Sequence, residues 1–426
     1  MSSPTTRTRT LPQAWVLSAL LGGYPLWWFL GIDAFVWIIA AAPMLLHLLV
    51  RKDVRAPRGF GAWLLFLMFV LASFTQVGRG NSGIMFAYRF LLYAAATVIF
   101  LYVYNLPRGD GAHRVARALT WLWGVVAVGG ILGVLLPSFT LHSPIERVVP
   151  SGLLANEWIH DLVHLRFAQV QDFLGYPISR PSAPFPYTNS WGSAFALLVP
   201  FAALSMQRRR ALHGHWMMRV LLLVSVVPVV LSVNRGLWLS LALATTYVLI
   251  RFALRGRARA LAGIGLAAVF IAVMVVTTPL GQVIGDRLDN PHSDEGRLSL
   301  YGQSIESASR SPLLGFGVPR PPEDNPNLPP VGTHGMLWMV LVSHGLPATV
   351  LFVGWLGWTT WCTRRRNDPL GFWANVSLFI TLVQLPYYGL LPAQIQLVMI
   401  AAALAWRPSA LQPPQPERRR AAEASR

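Results

Sequence analysis

The chain has 426 residues, of which 54% are hydrophobic and only 12% charged. Soluble domains carry about 25% charged residues, so this composition excludes an ordinary soluble enzyme, a disordered chain and a fibrous protein. A net charge of +18 would point to nucleic acid if it formed one face, so where the basic residues fall decides what they mean.

A helical bilayer span needs about 20 apolar residues. Twelve such runs lie near 13–31, 33–50, 61–78, 84–105, 116–136, 187–206, 217–233, 236–252, 260–280, 335–362, 372–390 and 392–406. They are too long for barrel strands and lack strand alternation. The expectation is an all-α polytopic membrane protein of about 12 transmembrane helices with two long extracytoplasmic loops. The first run has no clear small-residue cleavage site and reads as a retained anchor. This divides the chain into helices 1–5 (1–136), a first outer loop (137–186), helices 6–9 (187–280), a second outer loop (281–334), helices 10–12 (335–406) and a disordered tail (407–426).

With both termini in the cytoplasm, alternate connections carry Arg51, Lys52, Arg55, Arg58, Arg108, Arg114, Arg117, the 208–210 arginines, Arg219, Arg251, Arg255, Arg257, Arg259 and Arg364 to Arg366. That side, termini included, sums to +20 and everything else to −2. This is the positive-inside pattern of a multi-pass inner-membrane protein, and it removes the nucleic-acid reading. The other connections are short, so the two outer loops are where chemistry has room. The single cysteine, Cys362, permits neither an intramolecular disulfide nor a cysteine metal cluster.

Several polar residues stand where they are costly. Arg89 lies inside the fourth run, where it needs a partner, water or a snorkelling path. In the first outer loop, His160-Asp161-Leu162-Val163-His164 places two imidazoles on one expected helical turn. The zinc-protease helix has Glu where this pattern has Asp161, so the expectation is an interfacial amphipathic helix. Arg235 sits in a tight connection, Asn234-Arg235-Gly236, which holds its side chain at the outer surface. The second outer loop reads as a helix from Arg297, with Tyr301, Ser304 or Ile305, and Ala308 on one face. It ends at Arg310-Ser311-Pro312, turns at Gly315-Phe316-Gly317 and passes through the extended, proline-rich stretch 319–330. Asp294-Glu295 could hold a divalent cation but reads as solvated loop. His334 follows at the lip of the tenth run.

Three blocks resemble the bacterial O-antigen ligase and polymerase superfamily (WaaL-type and Wzy-type membrane glycan transferases). They are Pro186-Tyr187-Thr188-Asn189-Ser190-Trp191-Gly192; Asn234-Arg235-Gly236-Leu237-Trp238-Leu239; and the stretch from Gly296 and Arg297 through 311–317 and His334 to 341–346. The resemblance implies transfer of a glycan, outside the membrane, from an undecaprenyl-diphosphate-linked donor to a glycan or lipid acceptor. It implies no metal, nucleotide or other cofactor. It assigns Arg235 and Arg297 to the diphosphate and His334 as the base, with Arg180, Arg89, Tyr301 and Asn189 as further substrate-binding candidates. The chain departs from the family pattern at Asn234 (usually Ser), Gly335 (often Asn or Ser) and His344 (often Glu). A transporter or flippase of a lipid-linked saccharide is the alternative. A different polyprenyl-phosphate glycosyltransferase would use an acidic base such as Asp161 or Asp172. A membrane scaffold would leave the arginines and histidine as coincidence.

Overall fold

The computed structural model describes residues 14–78, 82–107, 110–155, 157–172, 177–207, 212–277, 280–289, 292–321 and 330–407. In chain order the first elements are α1 (Trp15–Gly22), α2 (Tyr24–Leu30), α3 (Val36–Val50), α4 (Phe60–Ala72, continued by a 3-10 turn, Ser73–Gln76), α5 (Ser82–Tyr104) and α6 (Asp110–Leu135). The first long connection holds β1 (Thr140–His142), α7 (Ser151–Leu154), α8 (Glu157–Val163), β2 (His164–Arg166), β3 (Ala168–Asp172) and β4 (Pro177–Pro181). Then come α9 (Thr188–Met206), α10 (Leu212–Val224), α11 (Val226–Leu231), α12 (Arg235–Ala253) and α13 (Ala258–Val276). The second long connection holds α14 (Leu280–Asp289) and α15 (His292–Arg310), and α16 (Met336–Thr363), α17 (Pro369–Gln384) and α18 (Gln394–Trp406) close the chain.

The protein is mostly helical, but the twelve apolar runs are not twelve equal helices. Among the described residues, four helices are each long and apolar enough to cross a membrane: Ser82–Tyr104, Gly111–Leu135, Arg235–Ala253 and Met336–Thr363. Other apolar helices are shorter. The run at 13–31 divides at Gly23 into α1 and α2, and that at 217–233 divides at Ser225 into α10 and α11. The run at 372–390 is helical only to Gln384, and 385–393 is a series of turns. The all-α expectation also misses four short strands. They form two antiparallel hairpins, β1 with β2 and β3 with β4.

The core is centred on α18. Ile395, Leu397, Val398, Met399, Ile400 and their neighbours to Ala405 are buried on every face. A helix apolar all round belongs inside a bundle, and α5, α9 and α17 pack around this one.

One end of the bundle is rich in arginine. The Arg407 guanidinium donates to the Val103, Tyr104 and Pro107 carbonyls at the end of α5, at 2.7, 3.0 and 2.9 Å. Arg251, in the last turn of α12, donates to the Tyr247 hydroxyl, Asn375 and the Arg366 carbonyl. Asp368 caps α17 by accepting from the Gly371 amide at 2.9 Å. Burial alone would raise the Asp368 carboxyl. The Arg366 Nε at 2.7 Å and the Gly371 amide outweigh that and hold it below the usual carboxylate range.

Candidate active site

At the opposite end, the starts of α9, α12 and α16 and the end of α17 converge. The turn into α12 is tight: Val233 has a positive φ of 51°, and Asn234 caps the helix by accepting from the Leu237 amide. Asn234 Oδ1 also accepts from the Tyr388 hydroxyl at 2.5 Å, while its Nδ2 donates to Asn189 Oδ1 at 3.3 Å. The Asn that departs from the family pattern thus ties α9, α12 and the 385–393 turns together. Arg235 is the first residue of α12 and half-buried.

Tyr387 and Tyr388 form the hub. A Cβ on Gly236 would lie 2.7 Å from the Tyr387 ring and 3.0 Å from the Tyr388 hydroxyl, so both rings crowd the backbone beside Arg235. The Tyr387 hydroxyl lies 3.0 Å from Ser240 Oγ and within electrostatic range of Tyr301. Tyr301 stacks on Trp338 of α16 with ring centroids 4.7 Å apart. Trp338 in turn donates to the Pro386 carbonyl at 2.8 Å. His334, half-buried, lies one turn before Trp338, with Nδ1 3.2 Å from Thr333 Oγ1. The Met336 amide donates to the Tyr388 carbonyl and the Leu337 amide to Leu385. Gly335 is required by space: a Cβ there would stand 2.3 Å from the Pro386 carbonyl oxygen.

The α15 helix begins earlier than the sequence suggests, at His292 rather than near Arg297. Of the open pair of face residues, Ser304 is buried and Ile305 exposed. Arg297 lies on this helix one turn before Tyr301, a spacing that puts both on one side. The side chains of Arg297, Asp294, Glu295 and Asp172, and the chain at 322–329 and beyond 407, lie outside the described residues.

A break in α16 fixes where α15 docks. Gly345 has φ 80°, which interrupts the helical ladder. The groups this frees are taken by the turn after α15. Leu346 N donates to the Pro312 carbonyl, Phe316 N to Val342 and Gly317 N to Ser343. Gly315 and Gly345 permit the close approach, since a Cβ at either would meet backbone atoms at 2.5 Å. The loop carrying Arg297 and Tyr301 is therefore plugged into the helix that His334 precedes.

Arg180 is buried and structural in its contacts. Its Nε donates to the Ser232 carbonyl at 2.5 Å and another guanidinium N–H to Gln171. It fastens the β3–β4 hairpin to the turn before Asn234. Arg89 lies in the first third of α5, near Tyr88, Tyr93 and His344. There His344 is fully enclosed, with Nδ1 2.8 Å from Ser73 Oγ and its ring edge-on to Tyr93. Ser73 gives its only hydroxyl proton to the Val70 carbonyl, so His344 donates to Ser73. Asp161 is paired with Arg166 at 2.7 Å, which disfavours it as a catalytic base.

Sequence reasoning missed Tyr387 and Tyr388, which sit inside an apolar run; the dipeptide's position between Pro386 and Gly389 was the available signal. An apolar groove of about 990 Å³ lies between α6 and α10. It is lined by Trp28, Trp121, Val128, Leu132, Trp216 and Leu221 and closed at one end by Phe167, Ala183 and Pro184, next to the strand bearing Arg180.

The family model described as O-antigen ligase matches residues 220–353. The match takes in Arg235, Arg297, His334 and the Gly345 break, and leaves out Asn189 and Tyr387. No curated protein matches the chain.

Proposed function

We propose that this chain, whose residues 220–353 match the family model described as O-antigen ligase, transfers a glycan from an undecaprenyl-diphosphate-linked donor to an acceptor hydroxyl on the outer face of the inner membrane. That it is a membrane protein of glycan-transferring type rests on the family and its apolar helices. The observation that carries the finer reading is the convergence at one end of the bundle. Gly236, next to Arg235, packs against Tyr387, and Gly335, next to His334, packs against Pro386, to which Trp338, stacked on Tyr301, donates.

The chemistry needs three things there. The acceptor oxygen attacks the sugar's C1, the C1–oxygen bond to the diphosphate breaks, and the acceptor's proton must be removed. Charge therefore develops on the diphosphate, which Arg235 stabilises together with Arg297. Guanidinium groups hold phosphate oxygens bidentately and stay ionised. The first amides of α12 point the same way and favour an anion. His334 takes the acceptor proton, a role suited to an imidazole. Tyr301 and Trp338 offer a stacked aromatic platform for a sugar face. The groove between α6 and α10 suits the polyprenyl chain, because its outer end adjoins Arg180 and the turn that leads to Arg235.

The broken helix α16 and the enclosed Arg89 and His344 favour a second reading, a flippase, since transporters place charged groups and broken helices at mid-membrane. Against it, the break at Gly345 is filled by the chain's own 312–317 turn. The test is a deletion strain complemented with His334→Ala or Arg235→Ala, with surface glycan and lipid-linked intermediates compared. Loss of the transferred glycan with accumulation of the donor, at normal protein level, is expected. Full transfer by both variants, or saccharide flipping by purified protein without transfer, overturns the proposal.

A further inference from the structure

The lobe built from residues 140–166 gathers groups that the transfer reaction does not use. The sequence places His160 and His164 on one helical turn, but α8 stops at Val163 and His164 opens β2. The two rings still stack, with centroids 4.8 Å apart. Strand pairing sets His142 of β1 opposite His164. Between them stands Glu146, only 7% exposed. Its Oε1 lies 2.9 Å from His142 Nδ1, 3.1 Å from His164 Nδ1 and 3.9 Å from His160 Nε2. Burial would raise the Glu146 carboxyl, but the hydrogen bonds to His142 and His164 outweigh it and hold it below the usual range.

We infer that His142, Glu146 and His164, with His160 adjacent, form a structural zinc site. One donor atom from each of the first three lies within 4.8 Å of the others. Tetrahedral zinc, with ligands at about 2.0–2.2 Å, sets its donors roughly 3.4 Å apart. Two of the three edges are already near that length; His160, with Nε2 3.9 Å from Glu146 Oε1, stands outside this three-ligand group, which leaves the fourth position to water or to a reoriented His160. Imidazole nitrogens with one carboxylate suit zinc and its neighbours in the transition series; magnesium and calcium prefer all-oxygen shells. Asp161 is paired with Arg166 instead.

The lobe has a physical need for such a staple. Its own core comprises Leu162, Val163, Ile145 and Leu154 against Ala34. That is a small apolar cluster, and small units with little core require cross-links. A disulfide is excluded by the single cysteine. The same turn grips the α2–α3 connection: Ile145 N donates to the Leu30 carbonyl, and Ser143 fills the space a Cβ on Gly31 would occupy. The Glu146 amide is itself fixed by donation to Ser143 Oγ at 3.1 Å. Zinc there clamps the first long connection to the top of α2 and α3.

The test uses tag-free full-length protein in detergent, stripped with chelator and titrated with zinc, and is independent of transferase activity. The expected result is about one zinc per chain with a thermal midpoint raised by a few degrees. His142 is largely exposed, so His142→Ala leaves the fold intact and weakens binding at least about 100-fold. Glu146→Gln does the same, and cobalt in place of zinc gives the visible bands of a tetrahedral nitrogen and oxygen site in the wild type only. No zinc bound at micromolar concentration overturns the inference, as does zinc bound equally by both variants.

Discussion

Arginines at the two ends of α12 behave oppositely. Arg251 lies in its last turn, where a cation complements the helix dipole, and its N–H groups are taken by Tyr247, Asn375 and the Arg366 carbonyl. Arg235 is its first residue, where the dipole disfavours a cation. The same contrast holds across the bundle. At one end Arg51 and Arg255, like Arg407, donate to backbone carbonyls, so those arginines do more than orient the chain. At the other end the adverse placement of Arg235 would become favourable with the proposed diphosphate bound. The comparison sets arginines whose hydrogen bonds hold the fold against one proposed to meet a ligand.

The sharpest way to break this comparison is Arg235→Ala. Loss of one preorganised cation is expected to cut glycan transfer by about 100-fold or more, with the thermal midpoint falling less than for Arg407→Ala. A parallel loss of stability would remove the distinction. Next is Arg407→Ala, expected to destabilise by about 2–3 kcal/mol, the scale of hydrogen bonds to a charged group. Transfer per folded molecule should stay near wild type, read as activity normalised to protein in detergent. Tyr387→Phe removes the hydroxyl shared with Ser240 and is expected to cost about 1 kcal/mol, with a several-fold drop in transfer if that hydroxyl positions Tyr301. The smallest effect is acid lability. Glu146 and Asp368 both titrate below their usual values in the folded protein. Their stabilisation is complete above the unfolded carboxylate pKa values of about 4 and is lost as pH falls through the folded ones. The thermal midpoint should be flat from neutral to mildly acidic pH and fall below that, with Glu146→Gln reducing the drop.

Much of the candidate site was legible in the chain. Arg235 was exposed by its place between two long apolar runs, and His334 by its place at the start of another. The one-turn spacing from Arg297 to Tyr301 is a property of any helix. Tyr387 was hidden because tyrosine is compatible with an apolar run, and helicity there ends for tertiary reasons. Leu385 to Tyr388 serve instead as partners for the Met336 and Leu337 amides and for Asn234. The Gly345 break was equally hidden, since a lone glycine inside an apolar run is common in membrane helices.

Composition and charge placement by themselves determined that this is a membrane chain with arginine gathered at one end of its helices. Apolar length and local charge are read residue by residue, so no packing is needed to see them. Tertiary structure alone decided which polar groups meet. His142 and His164 become neighbours only through strand register, and α15 reaches the start of α16 only because the 312–317 turn fills the break at Gly345. Such contacts join residues far apart in the chain, and their geometry depends on backbone hydrogen bonds that no local spacing encodes.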